Sequence, residues 1–340
     1  MLFLSSQAAS RLRASCRLAT AAVFFTVSAC ADAPLDDLAQ GAVERDETAS
    51  SDEAAPPFDE APIIGGAPST ECGWPSTVRV TGASSCTGTL IHSRIVTTAA
   101  HCVSGTQSQA TVSFGTRGSP GTFSLPARCR AGARGQTGVN SGRDWAYCVL
   151  PEDARVARIP VTPPLVGCEA SRFLKTGASV WMVGYGNTSY SGGAGRKREV
   201  ELSLNAINPL GAGTLLVGDR VEGGCYGDSG GPVYMRLVDA SGRDFGFRVI
   251  GATSGPGQPT NRACRCNCGT TLVNIAQHVA AIEANEGIDV TPCTDARGAW
   301  APGPRCRALP ANPQRASGTY PACSMETTTA PIESCGPAAR

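Results

Sequence analysis

The chain has 340 residues, 41% of them hydrophobic, with 29 Lys and Arg against 28 Asp and Glu for a net charge of +1. That apolar content builds an ordinary core and excludes global disorder, and no nucleic-acid partner is expected from so even a balance. Forty Gly and 24 Pro, with few long helical patterns, point to many short strands joined by turns.

The first thirty residues have the form of an export signal. Arg11, Arg13 and Arg17 precede the apolar run "LATAAVFFTVSA" at 18–29, which is too short to span a bilayer. The junction "VSAC" at 27–30 resembles a bacterial lipobox, which would make Cys30 a lipid carrier and attach the chain to a membrane. Cleavage after Ala31 competes, because Ala29 and Ala31 fit the small-x-small pattern. Residues 31–62 hold ten acids against Arg45 alone, the mark of a solvated linker or a pro-segment, whereas 63–340 carry 18 acids and 25 bases.

Sixteen cysteines support export on either route. Setting aside Cys16 and Cys30 leaves fourteen, an even number suited to disulfides in an oxidising compartment. The thiol-rich "CRCNC" at 264–268 raises zinc as an alternative, but its spacing lacks the usual gap of two to four residues, so no metal or cofactor is expected.

Alternating or β-branched runs follow in order: "STVRV", "GTLIHSRIVTTAA", "ATVSFG", "WAYCVL", "SVWMVGYG", "EVELSLNAI", "GTLLVG", "PVYMRLV" and "FRVIGATSG". They predict an all-β domain. A helix is expected over 275–285, capped by Asn274, with Ile275, Val279 and Ile282 inward and His278 a structural residue on it. From 286 to 340 runs a Pro-rich tail with Cys293, Cys306, Cys323 and Cys335, of a length that needs staples to fold.

The run "GGCYGDSGGP" at 223–232 packs five glycines around Asp228 and Ser229. Such backbone permissiveness suits a tight turn presenting a serine. A serine hydroxyl becomes a nucleophile only with a base to take its proton and a third group to hold that base. His92 has no acid or nucleophile motif beside it. His101, in "IVTTAAHC", follows a β-branched run and adjoins Cys102.

"TTAAHC" and "GDSGGP", in that order and with "GRDWAYCVL" between them, resemble the motifs of the chymotrypsin-like (S1, trypsin-type) serine protease family. The resemblance covers roughly 63–285 and implies two antiparallel six-stranded β-barrels with a C-terminal helix, His101 and Asp144 from the first barrel and Ser229 from the second. In those roles Ser229 attacks the acyl carbon, His101 shuttles the proton and Asp144 orients the imidazole, while the N–H groups of Gly227 and Ser229 stabilise the oxyanion. "IIGG" at 63–66 is similar to the family's new N-terminus after activation, whose amino group pairs with the acid before the serine, here Ile63 with Asp228. Pro62 stands where the family usually has Arg or Lys, so either a protease of another type acts there or the mature N-terminus does not lie at Ile63.

The resemblance also implies a Cys86–Cys102 bridge behind the histidine and places Cys225 in a bridge to the "CRCNC" loop. Cys129 is expected to pair with Cys148, and Cys72 with Cys168; the remaining loop cysteines are expected to bind the tail near the substrate pocket. Val180 and Met235 occupy the positions of a bridge that the family usually has. The pocket is expected from Gly223, at the base where an Asp selects Arg or Lys, with Gly224, Tyr226, Ser254 and Pro256, which implies an uncharged apolar residue before the cleaved bond, leaning to Phe, Tyr or Leu. The expected function is an exported, monomeric serine endopeptidase acting on proteins or peptides. A non-catalytic module of the same fold and an esterase sharing the chemistry are the alternatives.

Overall fold

A computed structural model describes residues 63–117, 122–132, 138–189, 192–257, 266, 268–327 and 333–335. The export signal, Cys30 and the acidic stretch 31–62 lie outside the described residues, as does Cys264. Thirteen strands are present among those described: β1 (Ala67–Pro68), β2 (Thr77–Thr81), β3 (Ser85–His92), β4 (Ile95–Thr98), β5 (Gln107–Phe114), β6 (Phe123–Ala131), β7 (Ala146–Val149), β8 (Ser179–Gly184), β9 (Arg198–Ile207), β10 (Thr214–Val217), β11 (Pro232–Val238), β12 (Asp244–Pro256) and β13 (Thr270–Asn274).

They make two closed antiparallel barrels. The first runs β2-β3-β4-β7-β6-β5, closed where Val80 of β2 faces Val112 of β5. The second runs β8-β9-β10-β13-β12-β11, closed where Met235 faces Val180, with β1 added against β9. Those two side chains, at the positions where the resemblance implies a bridge, are packed in the second barrel's core.

Period-two alternation explains the strands. In β6, Phe123, Leu125, Ala127 and Cys129 point inward while Ser124, Pro126 and Arg128 face solvent. β6 carries Pro126 in its interior, a residue that usually breaks a strand. It is tolerated because β7 pairs only with residues 128–131, so the missing N–H removes no ladder bond on that side.

Each barrel holds its own core, and a third apolar cluster joins them. It contains Ile91, Ile95 and Tyr147 from the first barrel with Val183, Tyr234, Phe247, Val249 and Val273 from the second. Trp74 stacks on Tyr234 at 4.7 Å between ring centres, and the Tyr234 hydroxyl is shared with Ser76 and Thr77 at 2.9 Å each. That buried hydroxyl is thereby satisfied, as buried polar groups must be.

Two helices are described, α1 (Gly167–Phe173) and α2 (Val279–Glu286). The helix expected over 275–285 is split: a 3-10 turn spans Ile275–Gln277, with the Asn274 side chain accepting from the Ala276 N–H, and α2 follows. α1 docks through a buried pair, with Arg248 donating to Glu169 at 2.8 and 2.7 Å.

Among its described residues the tail forms no strands, and it departs from its expected connections. Cys72 pairs with Cys323 and Cys168 with Cys335, correcting the expected Cys72–Cys168 bridge. Cys293 pairs with Cys306. The tail is thus tied to the segment before the first barrel and to α1 rather than to the loop at the pocket, and Ala316, Tyr320 and Cys323 enter the first barrel's core. Tyr320 also accepts from the fully buried Lys197 ammonium at 3.1 Å, and Gly73 and Trp74 carbonyls take its other two donors. Burial pushes that lysine down to about 7.

Candidate active site

β4 leads directly into a 3-10 turn, Ala100–Cys102, that carries His101. Cys102 is bridged to Cys86 on β3, so the turn is fixed covalently to the neighbouring strand. Asp144 lies at the end of the loop before β7 and is wholly buried. Its Oδ2 lies 2.8 Å from His101 Nδ1, and its Oδ1 accepts the His101 backbone N–H at 3.0 Å. The Ser254 hydroxyl donates to the same Oδ2 at 2.6 Å and also accepts the Asn140 N–H at 2.9 Å. A carboxylate so held favours the imidazole proton on Nδ1, and His101 lines the cleft.

The loop carrying Asp144 is braced from the second barrel. Trp145, the next residue, stacks on His278 at 4.3 Å, and His278 hydrogen-bonds to the Gly142 backbone. Burial lowers the His278 imidazole to about 4, so it is neutral near pH 7. The structural reading of His278 matches this packing.

Ser229 sits between β10 and β11 in a turn whose glycines meet different demands. Gly227 has φ +97°, and a Cβ there would lie 2.9 Å from the Gly186 Cα. Gly230 has φ +76°, and a Cβ there would reach 2.1 Å from Thr98 Oγ1 and 2.6 Å from the Ala99 nitrogen. The turn therefore presses against the first barrel near His101, which only a residue without a side chain permits. Among the described residues, the N–H groups of Gly227 and Ser229 have no acceptor, and both residues line the same cleft as His101.

Asp228 points the other way, into the protein. It is fully buried, its Oδ1 accepting from Gly186 N at 2.8 Å and its Oδ2 from Cys225 N at 3.0 Å. Burial raises its carboxyl to about 6. Ile63 is also buried, in the second barrel's core, and Ile64 exchanges backbone hydrogen bonds with Gly223 at 3.0 and 3.2 Å. In the uncleaved chain the Ile63 nitrogen is an amide joined to Pro62.

The cleft has a volume of about 410 Å³. Gly224, Tyr226, Ser254 and Pro256 line it, with Gly255 of the expected "SGPG" wall, with Thr270, which with Gly269 is one of two sequence candidates for the other wall, and with Val139, to which no motif points. Gly223 is outside the lining: its backbone is engaged by Ile64, and Thr270 Oγ1 lies 3.0 Å from where its Cβ would be. Thr270 accepts the Gly224 N–H at 2.8 Å and lines the cleft beside it. Among the described residues, no carboxylate lines the cleft. Cys225 pairs with Cys266 beside the cleft, Cys129 with Cys148 in facing strands, and Cys268 is disulfide-bonded as well, which leaves these thiols unavailable to zinc.

The family model of trypsin matches residues 63–267. The chain belongs to the trypsin family. Two six-stranded barrels, a His–Asp pair from the first and a serine turn from the second agree with that membership. As a trypsin-family protein it has a function of the serine-protease type, with peptides as the class of substrate.

One contact of this trypsin-family site escaped the sequence reading. Thr87, on β3 directly after Cys86, donates its hydroxyl to the Gly227 carbonyl at 2.8 Å and its N–H to the Ser229 carbonyl at 2.9 Å. A threonine in a strand carries no signal in one sequence, since β-branched residues are ordinary there.

Proposed function

We propose that the chain is an exported serine endopeptidase that cleaves peptide bonds through an acyl-enzyme. Ser229 is the nucleophile, His101 the general base and then acid, and Asp144 the group that orients the imidazole. The N–H groups of Gly227 and Ser229 receive the developing oxyanion, each donor worth about 2.7 to 4 kcal/mol in such sites. The observation that carries this reading is the buried Asp144 bonded to His101 in the cleft that Ser229 lines with two spare N–H groups.

Cleavage before Ile63 is part of the proposal, with residues 1–30 as the export signal, 31–62 as the segment removed and 63–285 as the catalytic domain. A freed Ile63 ammonium would give the buried Asp228 the counter-charge that it lacks in the uncleaved chain. The lining supports an uncharged apolar residue before the scissile bond, because a buried cation without a carboxylate would cost several kcal/mol. Thr270 shortens the floor that two glycines would leave open, which moves the expected preference from Phe and Tyr toward Leu or smaller.

Labelling of the purified mature protein with a fluorophosphonate, with the N-terminus read by mass spectrometry, tests nucleophile and processing together. Labelling confined to Ser229 and lost in Ser229→Ala supports the reading. Absence of labelling in a protein that begins at Ile63 overturns it.

A further inference from the structure

Thr87 lies in the first barrel, yet all its polar atoms but one serve the turn that carries Ser229. Besides the bonds to the Gly227 and Ser229 carbonyls, its hydroxyl accepts the Tyr185 N–H at 3.1 Å. Its own carbonyl takes the Thr98 hydroxyl at 2.9 Å, which anchors it to β4 next to His101. Among the described residues, the Thr87 hydroxyl is the sole partner of both the Gly227 carbonyl and the Tyr185 N–H.

The geometry of that one peptide unit matters. The plane joining Gly227 to Asp228 is pinned at one end by Asp228 N donating to the Cys225 carbonyl at 3.1 Å and at the other by Thr87. Gly227 sits at φ +97°, a conformation that a glycine leaves easily because it populates positive and negative φ alike. Releasing its carbonyl frees the residue whose N–H must share an aim with that of Ser229. The same hydroxyl also ties in Tyr185, whose neighbour Gly186 donates to Asp228. The Thr87 hydroxyl therefore meets both the Gly227 turn and the segment that holds one oxygen of Asp228.

We infer that the Thr87 hydroxyl is a positioning group for the oxyanion turn, supplied by the first barrel and independent of cleavage before Ile63. The inference rests on the protease reading above. It acts through Gly227 and touches no substrate.

Thr87→Val removes the hydroxyl at nearly constant shape, and Thr87→Ser restores it. Active sites of the mature protein are counted by fluorophosphonate titration, and kcat and KM are measured on the best peptide from a positional library. Affinities are compared for a peptide aldehyde, which forms the oxyanion, and for the matching peptide amide, which does not. The expected result for Thr87→Val is a fall in kcat of roughly ten- to a hundredfold with KM within about twofold, below the full loss of one oxyanion donor. Aldehyde affinity falls in parallel, amide affinity holds, and Thr87→Ser recovers both. Thr87→Ala gives the same comparison should the valine form not fold. A lower melting temperature with unchanged kcat and aldehyde affinity would make Thr87 a contact between barrels and nothing more, overturning the inference alone. A wild type that neither labels at Ser229 nor cleaves peptides overturns the protease reading and the inference with it.

Discussion

Replacing Asp228 with Asn should act in opposite directions before and after cleavage at Ile63. In the uncleaved chain the carboxyl sits in a box whose walls are Gly184 and Gly186, where added Cβ atoms would fall 2.1 and 2.5 Å from it. Burial raises it from a reference of 3.8 to about 6. Between those values the unfolded chain has released the proton that the folded chain still holds, so stability falls as pH rises from about 4 to 6 and is level above that. At about 1.36 kcal/mol per pH unit the loss is about 3 kcal/mol. Asn carries no charge and removes that loss, but its amide nitrogen cannot accept the buried Cys225 N–H, and a donor left unpaired there costs about 1 to 3 kcal/mol. The uncleaved Asp228→Asn protein therefore gains up to about 2 kcal/mol on its parent at pH 7 and is less stable than it at pH 4. On the proposed activation, cleavage would give the parent a buried ion pair, and Asn should then cost about 3 to 5 kcal/mol. Urea unfolding from pH 4 to 8, in a Ser229→Ala background to prevent self-digestion, reads all four states. Parallel pH curves for parent and variant before cleavage, or equal destabilisation in both forms, would refute the reasoning.

Other outcomes follow from the same geometry. Asp144→Asn should lower kcat by on the order of 10⁴ with the fold intact, because the neutral amide favours the wrong imidazole tautomer; activity near the parent's in a peptide assay would dismiss Asp144 as the orienting group. Thr270→Gly should deepen the cleft and shift a positional library toward Phe and Tyr, and an unchanged profile would mean that Thr270 is not the floor. Replacing Cys72 and Cys323 together with Ser should cost about 2 to 5 kcal/mol in unfolding stability, while the peptide preference stays the same; a changed preference would place the tail at the cleft after all.

Where the sequence was legible, it was so for physical reasons. Runs such as "EVELSLNAI" became β9 because alternation with one face buried leaves a strand a single register, Val200, Leu202 and Leu204 inward. Glycines around Ser229 could be anticipated because a turn with positive φ excludes most side chains. Thr270 could not be placed, since β12 and β13 slip by one residue between Thr253 and Gly255, and no pattern in either strand announces that shift. The tail failed for another reason. Parity says how many cysteines must pair but not which, and Cys323 reaches Cys72 across 251 residues. Thr87 shows the same limit at the site itself, because its value comes from a turn in the other barrel.

The placement of Ala316, Tyr320 and Cys323 in the first barrel's core has a consequence for the order of assembly. A chain that emerges N-terminus first delivers β2 to β7 early but withholds the side chains that complete their packing until after the whole second barrel has been made. The earliest module is therefore the last to be finished, and it stays incomplete for most of synthesis. A recombinant version ending at residue 285 would meet the opposite fate, with two barrels made and a gap where Tyr320 belongs.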